Sequence, residues 1–287
     1  MTEPQHRSRV LLVEGGGLRG AFGAGVLEAL FARGADAFDD VVAVSSGAPT
    51  AAYAITGQIA DGVRIWEDYT SGDQLISPRN LLRGAPLMDI DRLVGVFERV
   101  VPLAAERLRS ARARLWIGVT DCRTGEGRLV RATPSNLFAL LRATMALPVA
   151  YGKVVRVGGV PYVDGGVADA VPIARATELA GAGGAGERRP LAILTQPRGY
   201  RRTSGRLSAL LMASTYPRWP ALGRALLART ARANHALDRV DQLEGAGALR
   251  VIRPPRPLSA KRLSTRREDI VASIDAGRAA ARAYLGA

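Results

Sequence analysis

Three short segments carry residue types that could together do acyl-transfer chemistry. In Ala43-Val44-Ser45-Ser46-Gly47 a hydroxyl stands where an apolar, β-branched run gives way to a glycine. A sharp strand-to-helix turn there presents the serine oxygen at the edge of a sheet, and the dipole of the following helix favours the developing alkoxide. The first position of the pattern G-x-S-x-G is filled by Ala43, one methyl larger than glycine, and the last by Gly47. On this segment alone, Ser45 serves equally well as the cap of a helix that begins near Gly47. Ser46 is the rival hydroxyl, and the spacing to Gly47 favours Ser45.

The second segment is Gly15-Gly16-Gly17-Leu18-Arg19-Gly20, placed directly after Val10-Leu11-Leu12-Val13. A glycine-rich turn between strand and helix exposes backbone N–H groups at the positive end of a helix dipole and can hold a phosphate or an oxyanion. The string satisfies G-x-G-x-x-G, which alone is a weak dinucleotide signal. A dinucleotide fold requires an acid near the end of the second strand. Here Asp39 and Asp40 precede that strand, and it delivers Ser45.

A serine nucleophile needs a base. The two histidines are poorly placed: His6 lies in a polar N-terminal tail, and His235 in a charged helical stretch. A carboxylate is the remaining candidate. Asp164 ends an apolar strand and is followed by Gly165-Gly166, which lets backbone approach closely, whereas Asp121 and Asp169 lack that setting. On its own, Asp164 reads more readily as a turn aspartate than as a base.

The elements that must position these residues follow from patterning. Val10 to Val13 and Val41 to Val44 are buried strands, each leading through a turn into a helix. The first helix carries Phe22, Val26, Leu27, Leu30 and Phe31 at helical spacing and ends near Gly34; the second contains Pro49 and extends to about Ile59. Two successive strand–turn–helix units predict an α/β fold with a mostly parallel sheet and helices on both faces. Trp66 to Arg112 reads as helices and loops, and Leu115 to Thr120 as a strand. Val154 to Val157 and Val160 to Val163 form a hairpin around Gly158-Gly159. A helix spans Pro172 to Ala180, a glycine-rich connector Gly181 to Arg189, and a core strand Leu191 to Thr195. The remainder is mainly helical, with a short strand at Leu249 to Ile252.

Composition sets the outer limits. A chain of 287 residues, 47% apolar, can bury a full core. The single cysteine, Cys122, cannot form an internal disulfide, and Met1 to Arg9 has no apolar signal core, so a cytoplasmic protein is expected. Val41 to Ala60 is uncharged over a membrane-span length, but its serines, glycines and Pro49 read as strand, turn and helix. The formal charge is +14, and Lys153 and Lys261 are the only lysines among 40 basic residues. No aromatic-interleaved basic stripe, zinc spacing or repeat supports nucleic-acid binding. In Leu207 to Arg232, apolar residues including Trp219 alternate with Arg218, Arg224, Arg229 and Arg232. That stretch reads as a brace against the rest of the chain, with peripheral contact to anionic membrane as the alternative.

Taken in register, the glycine string, the Ser45 turn and Asp164-Gly165-Gly166 resemble the patatin-like phospholipases, bacterial members in particular. The resemblance spans about Arg9 to Ala176. Ser77 to Leu82, Ala143 to Pro148, Gln196 to Tyr200 and Val251 to Pro254 are similar to a bacterial subgroup. It implies a patatin-like three-layer fold with a catalytic domain at 9–176 and a mainly helical extension at 177–287. It further implies a Ser45–Asp164 dyad, an oxyanion hole at Gly15, Gly16 and Gly17, loop support from Arg19 and Gly20, and an elbow flanked by Ala43 and Gly47. Gly165 and Gly166 complete the aspartate motif. The implied activity is hydrolysis of a lipid acyl ester without metal or organic cofactor. The competing expectation is a catalytically idle lipid-binding or regulatory protein that keeps the fold.

Overall fold

The computed structural model describes residues 8–34, 37–181, 189–203 and 206–286. The chain opens with β1 (Val10–Val13), a single 3-10 turn (Gly17–Gly20) and α1 (Ala21–Ala32), then β2 (Asp40–Val44), α2 (Gly47–Ile55) and α3 (Ile59–Tyr69). Two short helices follow, α4 (Pro78–Leu82) and α5 (Ile90–Gly95). Next come β3 (Arg114–Asp121), β4 (Gly127–Arg131), α6 (Leu137–Thr144), β5 (Val155–Val157), β6 (Val160–Asp164) and α7 (Ile173–Ala180). The last part contains β7 (Leu191–Ile193), α8 (Arg206–Ser214), α9 (Pro220–Gly245), β8 (Arg250–Ile252) and α10 (Arg267–Leu285).

Strands β3, β2, β1, β7 and β8 lie side by side and parallel, while β4 and β6 pair antiparallel with β3 and β5 with β6. Every residue of β1 and β2 is buried, because helices cover both faces of the sheet. Alternate side chains supply the two cores. Leu11, Val13, Val41 and Ala43 face α1, α2 and α10, whereas Val10, Leu12 and Val42 face α7 and α9 through residues such as Ile173, Leu237 and Val240. This is the expected mostly parallel α/β sandwich with a helical C-terminal part.

Several boundaries differ from the sequence reading. The helix after Ser45 stops at Ile55 instead of near Ile59, because Gly57 turns into the left-handed region at φ 76° and α3 starts afresh. The strand expected to reach Thr195 stops at Ile193; the Thr195 N–H turns aside to the Glu14 carboxylate, 2.8 Å away. Strand β4 was not legible: Arg128 and Arg131 give it a charged, exposed edge instead of an apolar face. The glycine-rich connector lies largely outside the described residues.

The C-terminal helix docks by backbone approach. A Cβ at Gly25 of α1 would overlap the Ile274 carbonyl, and one at Gly277 of α10 would overlap the Phe22 carbonyl. Ile270, Ile274 and Ala281 are thereby fully buried within the core formed by the N-terminal half.

Candidate active site

Strand register brings Ser45 and Asp164 together. Parallel strand β2 ends with Val44 opposite Gly118, and antiparallel strand β6 ends with Asp164 opposite Val119. Since β4 occupies the other edge of β3 from Trp116 to Thr120, β2 and β6 share one edge and arrive end to end. The turns that leave the sheet at this junction place the two side chains side by side. Ser45 Oγ donates to Asp164 Oδ2 at 2.8 Å, with Ser45 8% and Asp164 1% exposed.

Both groups are held from several directions. Ser45 has φ 52°, a left-handed conformation that a serine adopts only under constraint. The constraint is Thr144: its hydroxyl accepts from Ser45 N at 2.8 Å and donates to Gly118 O at 2.6 Å. Asp164 Oδ1 accepts from Gly166 N at 2.7 Å, and the Asp164 carbonyl accepts from Thr120 Oγ1 at 2.8 Å. Gly165 allows this turn to press on β3, since a Cβ there would overlap the Gly118 carbonyl. Burial pushes the Asp164 pKa above its ordinary value, opposed by the Arg229 charge, the Ser45 hydroxyl, the Gly166 N–H and Arg262.

The glycine string wraps the same spot. A Cβ at Gly15 would come within 2.6 Å of both Ser45 Cβ and the Val44 carbonyl. No described residue supplies a backbone acceptor for the N–H of Gly15 or Gly16. Gly17 sits at φ 62° against the Arg262 carbonyl, which also accepts from Leu18 N at 3.0 Å. The Arg19 guanidinium lies over Gly16 and, in the amide orientation that satisfies both groups, donates to the Gln196 side-chain oxygen at 3.0 and 3.1 Å. Gly20 leaves space for Ser46 Oγ and Trp66, and Gly47 for the Glu14 carbonyl. Ala43 is buried in β2 between Val13 and Ile117, its methyl part of the core. Ser46 Oγ is buried without a hydrogen-bond partner among the described residues, against Gly20.

His235 is exposed on α9, and His6 lies outside the described residues. Five neighbours were not singled out as site residues from sequence: Glu14, Thr144, Arg202, Arg229 and Arg262. Glu14 is 2% exposed and accepts from Thr195 N and Oγ1 and from Arg202 Nη2. Arg229 donates from Nε to the Gly166 carbonyl at 3.1 Å; burial and the nearby Arg262 lower its pKa to about 10, which leaves it charged at neutral pH. The usable signals were an acid at the end of an apolar strand for Glu14, and the Ala143 to Pro148 segment for Thr144. Nothing in an arginine-rich sequence distinguishes a buried arginine from an exposed one.

Two spaces open from Ser45. One is an apolar pocket of about 540 Å³, with Tyr53, Trp66, Met88, Phe97, Met145 and Leu147 in its wall. The other is the recess of about 290 Å³ around Ser45 and Asp164, closed by Gly15, Gly16, Arg202, Arg229 and Arg262. From the stretch expected to brace, Tyr216, Leu222 and Leu226 are buried against Val163 and Val167, while Leu227, Arg218 and Arg224 are exposed. The side chains of Leu207 and Leu211 lie outside the described residues.

Comparison with known proteins agrees with this architecture. Residues 11–177 match the sequence model of the patatin-like phospholipases, and residues 219–287 match a domain of unknown function, DUF6363. The uncharacterized protein YjjU of Escherichia coli K12 is 31% identical over 179 residues, which cover 60% of this chain and 50% of that protein. The chain thus spans about half the length of this relative. VipD from Legionella pneumophila superposes over 98% of this chain and 67% of its own, with TM-score 0.53 and 15% identity, a likeness of fold. With more than half of its length matched by that sequence model, and with the motifs gathered at one sheet junction, the chain belongs to the patatin-like phospholipase family.

Proposed function

We propose that the chain is a serine acyl hydrolase that cleaves the carboxylic ester of a lipid, with Ser45 as nucleophile and Asp164 as its base. The observation that carries this reading is the 2.8 Å hydrogen bond from Ser45 Oγ to Asp164 Oδ2, made by a serine in a left-handed turn at the mouth of an apolar pocket.

Asp164 takes the Ser45 proton as Oγ attacks the ester carbonyl carbon. The N–H groups of Gly15, Gly16 and Gly17 stabilise the oxyanion, a contribution in which one lost donor costs roughly 10²–10³ in turnover. Arg19 and Gly20 keep that loop in shape, and Ala43 and Gly47 flank the elbow. Collapse of the tetrahedral intermediate breaks the ester C–O bond, and the leaving alkoxide takes the proton from Asp164. Water then gives a proton to Asp164 and attacks the acyl-serine. Release of the carboxylic acid returns the proton to Ser45. The apolar pocket suits an acyl chain, since its wall is built almost wholly from hydrocarbon and aromatic side chains. Residues 9–176 carry the dyad, and 177–287 brace it. Exposed Leu227 beside Arg218 and Arg224 offers a face for peripheral contact with anionic membrane.

A fluorophosphonate probe tests the reading. Intact-mass and peptide spectra should show one adduct, on Ser45, with none in Ser45→Ala. Complete inertness where a control hydrolase labels would favour an idle lipid-binding protein instead.

A further inference from the structure

The apolar pocket has a direction and an end. One wall is Ser46, Pro49, Thr50 and Tyr53, the i, i+3, i+4, i+7 stripe along one face of α2 and its N-cap. The facing wall comes from α3, through Gly62, Ile65 and Trp66. Trp66 stands at the Ser45 end, donating from Nε1 to Thr50 Oγ1 at 3.0 Å and meeting Gly20 together with Ser46 Oγ. Gly62 stands at the other end, where a Cβ would come within 2.9 Å of Tyr53 Cβ. The two helices therefore run antiparallel along a slot that starts at Ser45 and follows α2 to Tyr53. Ser45 and Leu147 border both this slot and the recess around Asp164, so an acyl chain enters from that end.

The far end is shut by rings that are fixed in place. Tyr53 and Phe97 meet edge to face, with centroids 6.0 Å apart at 77°, and each is 1% exposed. The Tyr53 hydroxyl donates to the Val101 carbonyl. Val101 N and Leu103 N are in turn held by the carbonyls of Val96 and Phe97 at 2.9 and 2.8 Å. The threonines along the slot face the protein, Thr50 Oγ1 meeting the Trp66 indole and Thr70 Oγ1 donating to the Trp66 carbonyl at 2.7 Å. What remains for the slot to read is the length of a hydrocarbon chain. The helical rise from Ser46 to Tyr53 is about 10 Å, and an extended alkyl chain advances about 1.3 Å per carbon, so about eight carbons fill it.

The geometry points to a chain-length stop: Tyr53 and Phe97 end the acyl site after about eight carbons, and the preferred substrates are esters of medium-chain acids. This rests on the acyl hydrolase reading and narrows its substrate class by the length of the acyl chain. Each methylene that enters before the stop raises kcat/KM by about fourfold, whereas one beyond it stays in water or must displace a ring.

The test measures kcat/KM on monoacyl glycerols from butanoyl to dodecanoyl, each below the concentration at which it aggregates. The wild-type value should climb as far as octanoyl and level or fall from decanoyl onward. Phe97→Ala removes one ring of the stop and should move the maximum to decanoyl or dodecanoyl. Ile65→Trp sets a ring between the two ends and should move it to hexanoyl or butanoyl. Where Phe97→Ala fails to fold, Phe97→Leu reads the same upward shift. The maximum is located within each variant, so the amount of active protein does not enter. A wild-type value still climbing at dodecanoyl, or a maximum that stays at octanoyl in the Phe97 and Ile65 variants alike, would overturn the stop. Calorimetric binding of the same series to Ser45→Ala separates this inference from the hydrolase reading. Affinity that climbs to octanoyl and stops there supports it even if the wild type cleaves none of the series, and affinity that keeps climbing removes it.

Discussion

At the scale of the residue, the proposed mechanism turns on Asp164, a carboxylate that is fully buried and that must be ionised to serve as the base. Burial raises the Asp164 pKa, and the Arg229 charge is the largest influence holding it down, ahead of the Ser45 hydroxyl, the Gly166 N–H and Arg262. Only the ionised form can take the Ser45 proton. The sign follows: kcat/KM should be full above the Asp164 pKa and fall as pH drops through it, with the acid limb above the ordinary carboxylate value of about 4. Arg229→Met removes a cation that favours the charged form, so its acid limb should move to higher pH. A pH–rate profile of wild type and variant checks this, and a limb that stays in place would show that Arg229 does not set the base. Ser45 and Asp164 were legible as candidates because each stands at the end of an apolar strand with glycine one or two residues on. Thr144, which fixes the strained Ser45 backbone, was legible only as part of the Ala143 to Pro148 segment, since nothing in a threonine's own surroundings marks the distant N–H it will meet.

At the scale of the element, the contact between Ser45 and Asp164 is a consequence of register along one edge of β3. Val44 opposite Gly118 and Asp164 opposite Val119 leave no spare residue between the ends of β2 and β6. Gly165 makes that junction possible, because its missing side chain admits the Gly118 carbonyl and Val44 Cγ1. Gly165→Ala should therefore lower stability by about 1–3 kcal/mol through overpacking, a drop in Tm of roughly 2–10 °C for a chain of this size. It should also lower kcat more than it changes KM, as Asp164 is pushed away from Ser45. Calorimetry and steady-state kinetics on one preparation read both, and an unaltered Tm with unaltered kcat would mean that the junction is looser than described. The parallel core was readable from continuous apolar runs, and the hairpin from Gly158-Gly159. Strand β4 was hidden by its arginines, and the end of α2 by a turn at Gly57 that hydropathy does not register.

At the scale of the whole molecule, the C-terminal third closes the site that the N-terminal part begins. Helix α9 contributes Arg229, the segment before α10 brings the Arg262 carbonyl to Gly17, and α10 is seated on α1 through Gly25 and Gly277. The sequence indicated a helical extension but not that its arginines turn inward, because 40 basic residues and a formal charge of +14 mask the few that matter. Among the described residues no helix is long and apolar enough to cross a membrane. All of these elements converge on one hydrogen bond, and a double-mutant cycle measures it most directly. Ser45→Ala and Asp164→Asn should each lower kcat on an acyl ester by about 10⁴-fold or more, and the double variant should be no slower than either, since the two groups act as one unit. Asp164→Asn within tenfold of wild type, or losses that multiply in the double variant, would contradict a Ser45–Asp164 dyad.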